Sequence, residues 1–207
     1  MNETNWDIRL LSKSNLLPKV AQGIIEKFRF RVIYGVSTGT FNDGIARTIE
    51  SGTPLVSKRV DSLRWLQDNG YRTFAMICPS LPLPDDDAYR SLAALASSNL
   101  RTSACEHVWA EVINLRGESF TRTVTALANA GYGAEAARLE HVSNDKTAWE
   151  KYARDTFLAH REFVHPSKLR FLQYVTKSNI DWWAAERSNG AVLLGDVAST
   201  PVTPSLL

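Results

Sequence analysis

RFRVIYGVSTGTFNDGIARTIESGTPLVSKRVDSLRWLQDNGYRTFAMICP, residues 29–79, holds two apolar runs on either side of a helical pattern. Arg29 to Ser37 and Tyr71 to Cys78 are short and rich in β-branched and aromatic residues, as strands are. Between them Ser57 stands where a helix cap belongs, and Val60, Leu63 and Leu66 follow at helical spacing until Asn69-Gly70 ends the pattern. Two strands joined through a helical crossover pair in parallel, because a crossover brings the chain back to the same end of the sheet.

The same alternation extends in both directions. Upstream, Trp6 to Lys13 reads as a strand, and Ser14 caps a helix with Leu16, Leu17, Val20, Ile24 and Ile25, where Pro18 falls in the first turn. A short helix runs to Glu50. Downstream, Pro79 stops the strand, and Asp85, Asp86 and Asp87 form an acidic helix start. His107 to Asn114 is a fourth strand. A helix from Glu118 ends near Gly131 or Gly133, and a longer one from Asn144 reaches about His165 before Pro166. Leu169 to Thr176 is a fifth strand, Asn179 to Arg187 a short helix and Ala191 to Leu194 a last strand. Repeated strand–helix units imply a parallel α/β sheet, either doubly wound or closing toward a barrel. No G-x-G-x-x-G turn follows a strand, and a full eight-unit barrel needs about 250 residues. Six strands in 207 residues therefore predict a partial (βα) barrel over residues 1–198, with residues 199–207 as a flexible tail.

Composition narrows the function classes. Lys plus Arg number 24 and Asp plus Glu 22, so the net charge of +2 offers no electrostatic case for nucleic acid. No apolar run approaches a membrane span, and no signal peptide is visible. Two cysteines, Cys78 and Cys105, are too few for a disulfide framework and point to the reducing cytoplasm. They are also too few to bind an iron–sulfur cluster. His160 and His165 are spaced one residue too far for a helical metal pair, and neither a G-x-S-x-G elbow nor a phosphate-binding P-loop occurs. Trp182-Trp183 reads as core packing.

Function in parallel α/β sheets collects at the carboxyl ends of strands. That rule selects Lys13, Ser37, Cys78-Pro79, Glu111, Asn114 and Lys177. The exits Ser12-Lys13-Ser14-Asn15 and Thr176-Lys177-Ser178-Asn179 nearly repeat. Either they are polar strand exits with a helix cap, or they bring two ammonium groups to face an anionic ligand. Glu111 sits inside an apolar run and requires solvent, a cation or a donor. Arg72 stands near the start of its strand, the position of a surface arginine.

Arg31 to Pro82 resembles the radical S-adenosylmethionine superfamily, in the branch of spore photoproduct lyase and DNA-photolyase-like proteins. The resemblance rests on a strand ending in Ser37, on Glu50-Ser51-Gly52-Thr53-Pro54 with Arg59, on Asn69-Gly70-Tyr71, and on the apolar run Ala75 to Pro79. Ser51 stands where the branch usually has proline, and Ile8 to Ser14 is similar to its preceding strand. The resemblance implies a partial (βα)6 barrel, and it implies that Ser37 and Arg72 contact S-adenosylmethionine. Lys13, Glu111 and Asn114 complete the candidate set from the strand ends. The family's C-x-x-x-C-x-x-C loop, which holds a [4Fe-4S] cluster, has no counterpart here.

Three functions follow as expectations. The chain is the C-terminal part of a radical-SAM-like protein, inactive alone for want of cluster ligands; or a non-catalytic α/β binding module; or a small lyase working through Lys13 or Lys177. In the first case the opening strand leaves an unpaired edge, ready for an N-terminal fragment or a second copy.

Overall fold

The computed structural model describes residues 6–24, 26–115, 118–172 and 175–194. Among these residues six strands, β1 (Ile8–Ser12), β2 (Val32–Thr38), β3 (Arg72–Ser80), β4 (Val108–Val112), β5 (Leu169–Leu172) and β6 (Leu193–Leu194), form one sheet in chain order. Every neighbouring pair is parallel. Because the order of the described strands never reverses, they show no switch point of a doubly wound fold. Crossovers of one hand then put the helices on a single face.

Side-chain alternation confirms that division. Val32, Tyr34 and Val36 of β2, Ala75 and Ile77 of β3, and Val108 and Ala110 of β4 belong to one buried core shared with the helices. The residues between them line the opposite face. A parallel sheet in chain order, with its buried core on the helix side, is consistent with a partial barrel. Among the described residues β1 pairs only with β2, so the edge expected from sequence is present.

Among the described residues eight helices flank the strands: α1 (Leu17–Gly23), α2 (Asp43–Ile49), α3 (Val56–Asp68), α4 (Ala88–Leu100), α5 (Glu118–Asn129), α6 (Gly133–Asn144), α7 (Lys146–Phe163) and α8 (Ile180–Ser188). None is long and apolar enough to cross a membrane. Several boundaries differ from the sequence reading. Glu26–Arg31 winds as a 3₁₀ turn, so the second strand starts at Val32 rather than Arg29. The cap of α3 is not Ser57 but Asp43, which reaches from α2 to accept from the Ser57 amide at 3.1 Å and its hydroxyl at 2.7 Å. Helix α6 was not expected. Gly131, at φ +86°, ends α5, and the chain re-enters a helix two residues later. Asp145 caps α7, one residue beyond the anticipated Asn144. Trp183 is buried against Phe157 and Phe171, as core packing requires. Residues 199–207, read as a tail, lie outside the described residues, as do residues 195–198 of the anticipated domain.

On the inner face Phe74 lies directly over its register partner Gly35. A Cβ at position 35 would come within 2.2 Å of the ring. Gly35→Ala must displace a buried phenyl group, and we expect it to cost about 1–3 kcal/mol in urea unfolding. A variant as stable as the wild type would show that the ring swings aside freely.

Candidate active site at the carboxyl ends of the strands

The loop that leaves α2 folds around a buried arginine. Gly52 adopts φ +80° and turns the chain, while Thr53 donates from its hydroxyl to the Glu50 carbonyl at 2.8 Å. Arg59 enters from the first turns of α3 and is 0% exposed. Its Nε donates to the Pro54 carbonyl at 2.8 Å, Nη1 to the Ser37 carbonyl at 3.2 Å and Nη2 to the Thr53 hydroxyl at 2.6 Å. Nη2 also forms an ion pair with Glu50 Oε2 at 2.5 Å. The other carboxylate oxygen of Glu50 takes the Lys13 ammonium. Glu50, Thr53 and Arg59 are thus one unit that ties the end of β2 to the exit of β1.

Across the same opening, β3 bulges. Ile77 pairs with Ala110 but Ser80 with Val112, so three steps along β3 match two along β4. The bulge carries the cis Cys78–Pro79 peptide and aims the Cys78 thiol at Glu111, to which it donates at 2.7 Å. Burial, and then the Glu111 carboxylate, hold this thiol well above its usual pKa. Cys78 therefore acts as a donor to Glu111 and not as a thiolate nucleophile.

Between these two units lies a cavity of about 310 Å³ lined by Lys13, Glu50, Cys78, Glu111, Asn114 and Phe120, among others. It has a size suited to a small molecule, and it offers one cation, two carboxylates and an amide above an apolar floor. Three of the five residues expected to bind a cofactor, Lys13, Glu111 and Asn114, meet here. Ser37 is buried just beneath, with its hydroxyl 3.5 Å from the Cys78 carbonyl and its own carbonyl held by Arg59.

Arg72 requires a correction: it is not beside Ser37. In the parallel register Ile33 pairs with Arg72 and Ser37 with Met76, so Arg72 opens β3 where Ser37 closes β2, about 13 Å away along the strands. It is occupied there by Asp7 at 2.8 Å, by both oxygens of Glu106, and by the Phe30 carbonyl at 2.6 Å. Lys177 also falls away from the cavity. Of the two similar exits, the second is a polar turn: Thr176 and Ser178 donate to Glu150, at 2.6 and 2.5 Å, and Asn179 accepts from the Thr176 amide at 2.7 Å. Lys13 alone of the two lysines reaches the opening.

Glu50 and Arg59 were not among the expected site residues, although both stand in the quoted Glu50-to-Arg59 stretch. Their signal was the acid and the arginine bracketing a Gly-Thr-Pro turn, a pattern that surface charges need not keep.

The cysteines do not suit an iron–sulfur cluster. Cys78 faces the cavity, whereas Cys105 is buried on the helix side beside Gln67 and Thr73. Among the described residues no three His, Cys, Asp or Glu side chains converge as a metal site. In comparisons with known proteins, no family model, no curated protein and no solved structure matches the chain.

Proposed function

We propose that the chain is the S-adenosylmethionine-binding, C-terminal portion of a radical-SAM-like enzyme. One observation carries the reading: the Glu50-to-Arg59 stretch on which the resemblance rests is a single hydrogen-bonded unit, and it delivers Lys13 to the cavity that holds Glu111 and Asn114. An amino-acid moiety needs a cation for its carboxylate and acceptors for its ammonium. Lys13 would serve the first, and Glu111 with the Asn114 amide the second. The Cys78 thiol donates to one oxygen of Glu111 and orients the other. The thiolates for a [4Fe-4S] cluster have to come from outside this sequence, so the chain alone binds its ligand without cleaving it. On this reading the free edge of β1 takes a companion segment or a second copy; Leu11 is 44% exposed there.

Titration calorimetry with S-adenosylmethionine tests the proposal. Lys13→Met and Glu111→Gln are each expected to weaken binding at least about tenfold, the loss of one charge-assisted contact. Arg72→Ala should bind like the wild type. No binding by the wild type, or a loss confined to Arg72→Ala, would sink the reading.

A further inference from the structure

Helix α5 walls one side of the cavity at the strand ends, where it contributes Ser119, Phe120 and Thr123. Its hold on the rest of the protein is slight. Leu127 is its single buried residue, and Phe120 and Val124 on the same face are half-buried. Helix α6, of equal length, buries Ala136, Leu139 and Val142 and is tied by Arg138 to Asp86 at 2.6 Å. Among the described residues the side-chain hydrogen bonds of α5 stay within the helix. Arg122 donates to Glu118 at 2.7 Å, and the Thr123 hydroxyl to the Ser119 carbonyl at 2.8 Å. Apolar contact therefore holds α5 against α2 and α6, and empty space borders both of its halves. Phe120 faces the cavity, and Leu127 adjoins a smaller void of about 30 Å³ walled by Leu81, Leu83 and Leu139.

The far end of α5 is built as a pivot. Gly131, at φ +86°, donates to the Ala128 carbonyl at 3.2 Å, and the Tyr132 amide donates to that of Leu127 at 2.9 Å. These are the paired bonds of a helix that stops at a glycine. Tyr132 then lodges against the first turn of α2, so close that a Cβ on Gly44 would stand 2.3 Å from its hydroxyl. One end of the helix is thus pinned, while the end beside the cavity rests on a half-buried phenyl ring.

We propose that α5 is a hinged lid on the candidate site, turning about Gly131 to admit a ligand to Lys13 and Glu111 and closing over it through Phe120. The identity of the ligand rests on the reading above; the motion does not. A local opening costs only the contacts it breaks, and α5 has few to break. A ligand that touches Phe120 and Thr123 in the closed state alone shifts the population toward closure.

Backbone hydrogen exchange across a urea series tests the lid. In the ligand-free protein, protection factors in α5 should be at least about tenfold lower than in α6, through an opening that low urea barely accelerates. Phe120→Ala should lower protection in α5 about tenfold further and leave α6 unchanged. Saturating S-adenosylmethionine should raise protection in α5 of the wild type and not of Lys13→Met. Equal protection and equal urea dependence in α5 and α6 would overturn the lid, as would calorimetric binding that leaves exchange in α5 unaltered. Local opening of α5 without any binding would support the hinge and remove S-adenosylmethionine as its ligand.

Discussion

Arg59→Met is expected to destabilise the protein by about 3–5 kcal/mol, the cost of breaking a buried ion pair from one side. That is a large part of the about 5–15 kcal/mol that holds a typical domain together. The side chain is fully buried, and its removal strips donors from the Ser37 and Pro54 carbonyls and the Thr53 hydroxyl. It also leaves Glu50, which is nearly as buried, with Lys13 as its remaining cation. Glu50→Gln should be destabilising from the opposite side, by stranding the guanidinium. The double variant should lose less than the two single losses combined, because the second change removes a charge the first had stranded. Urea unfolding of the four proteins measures this. Full additivity, or an Arg59→Met within about 1 kcal/mol of the wild type, would show that the network is ornamental to the fold. The same experiment bears on function, since Lys13 is presented to the cavity by Glu50.

How much of this was legible beforehand depended on whether the cause was local. Strands β2 and β3 could be read because their apolar runs are dictated by burial on both faces. The 3₁₀ turn before β2 could not, since Arg29 and Phe30 have strand-like neighbours. What winds them is distant: Arg29 donates to the Asn69 carbonyl at 2.7 Å and lies over the Tyr71 ring at 4.5 Å. Helix α6 was hidden by the two nearby glycines, which read as a single stop. In the site, Lys13, Glu111 and Asn114 were found because parallel topology assigns every strand end to the same side. The identical rule, applied to Arg72, would have excluded it, for it opens its strand. Arg59 escaped because a helical arginine between Lys58 and Val60 looks like a surface residue in sequence. Only the Gly52 turn, which folds the Glu50 loop back over α3, makes that position an interior one.

His160 should make the fold acid-sensitive well above the range in which carboxylates titrate. It lies on α7, 1% exposed, with Nε2 facing the Ser80 hydroxyl at 3.5 Å and Nδ1 without a partner. Burial alone lowers its pKa from 6.5 to about 4. In the unfolded chain the imidazole takes up a proton below about pH 6.5, but in the folded protein only near pH 4. Between those values the unfolded state binds more protons, so stability falls as pH falls and levels off below pH 4. The linkage amounts to about 2 kcal/mol between pH 7 and pH 5, and about 3 kcal/mol in full. Half-buried His107 adds in the same direction, its pKa lowered first by burial and then by Arg170 and Arg9. The paired carboxylates Asp7, Asp43 and Asp86 have lowered pKa values, so their contributions are lost only below the ordinary aspartate range. The window from pH 7 to pH 5 therefore isolates the histidines. Urea midpoints of the wild type should decline across it, and those of His160→Leu should decline far less. A flat wild-type profile, or an unchanged slope in His160→Leu, would mean that the buried ring accepts its proton without opening the contact between α7 and β3.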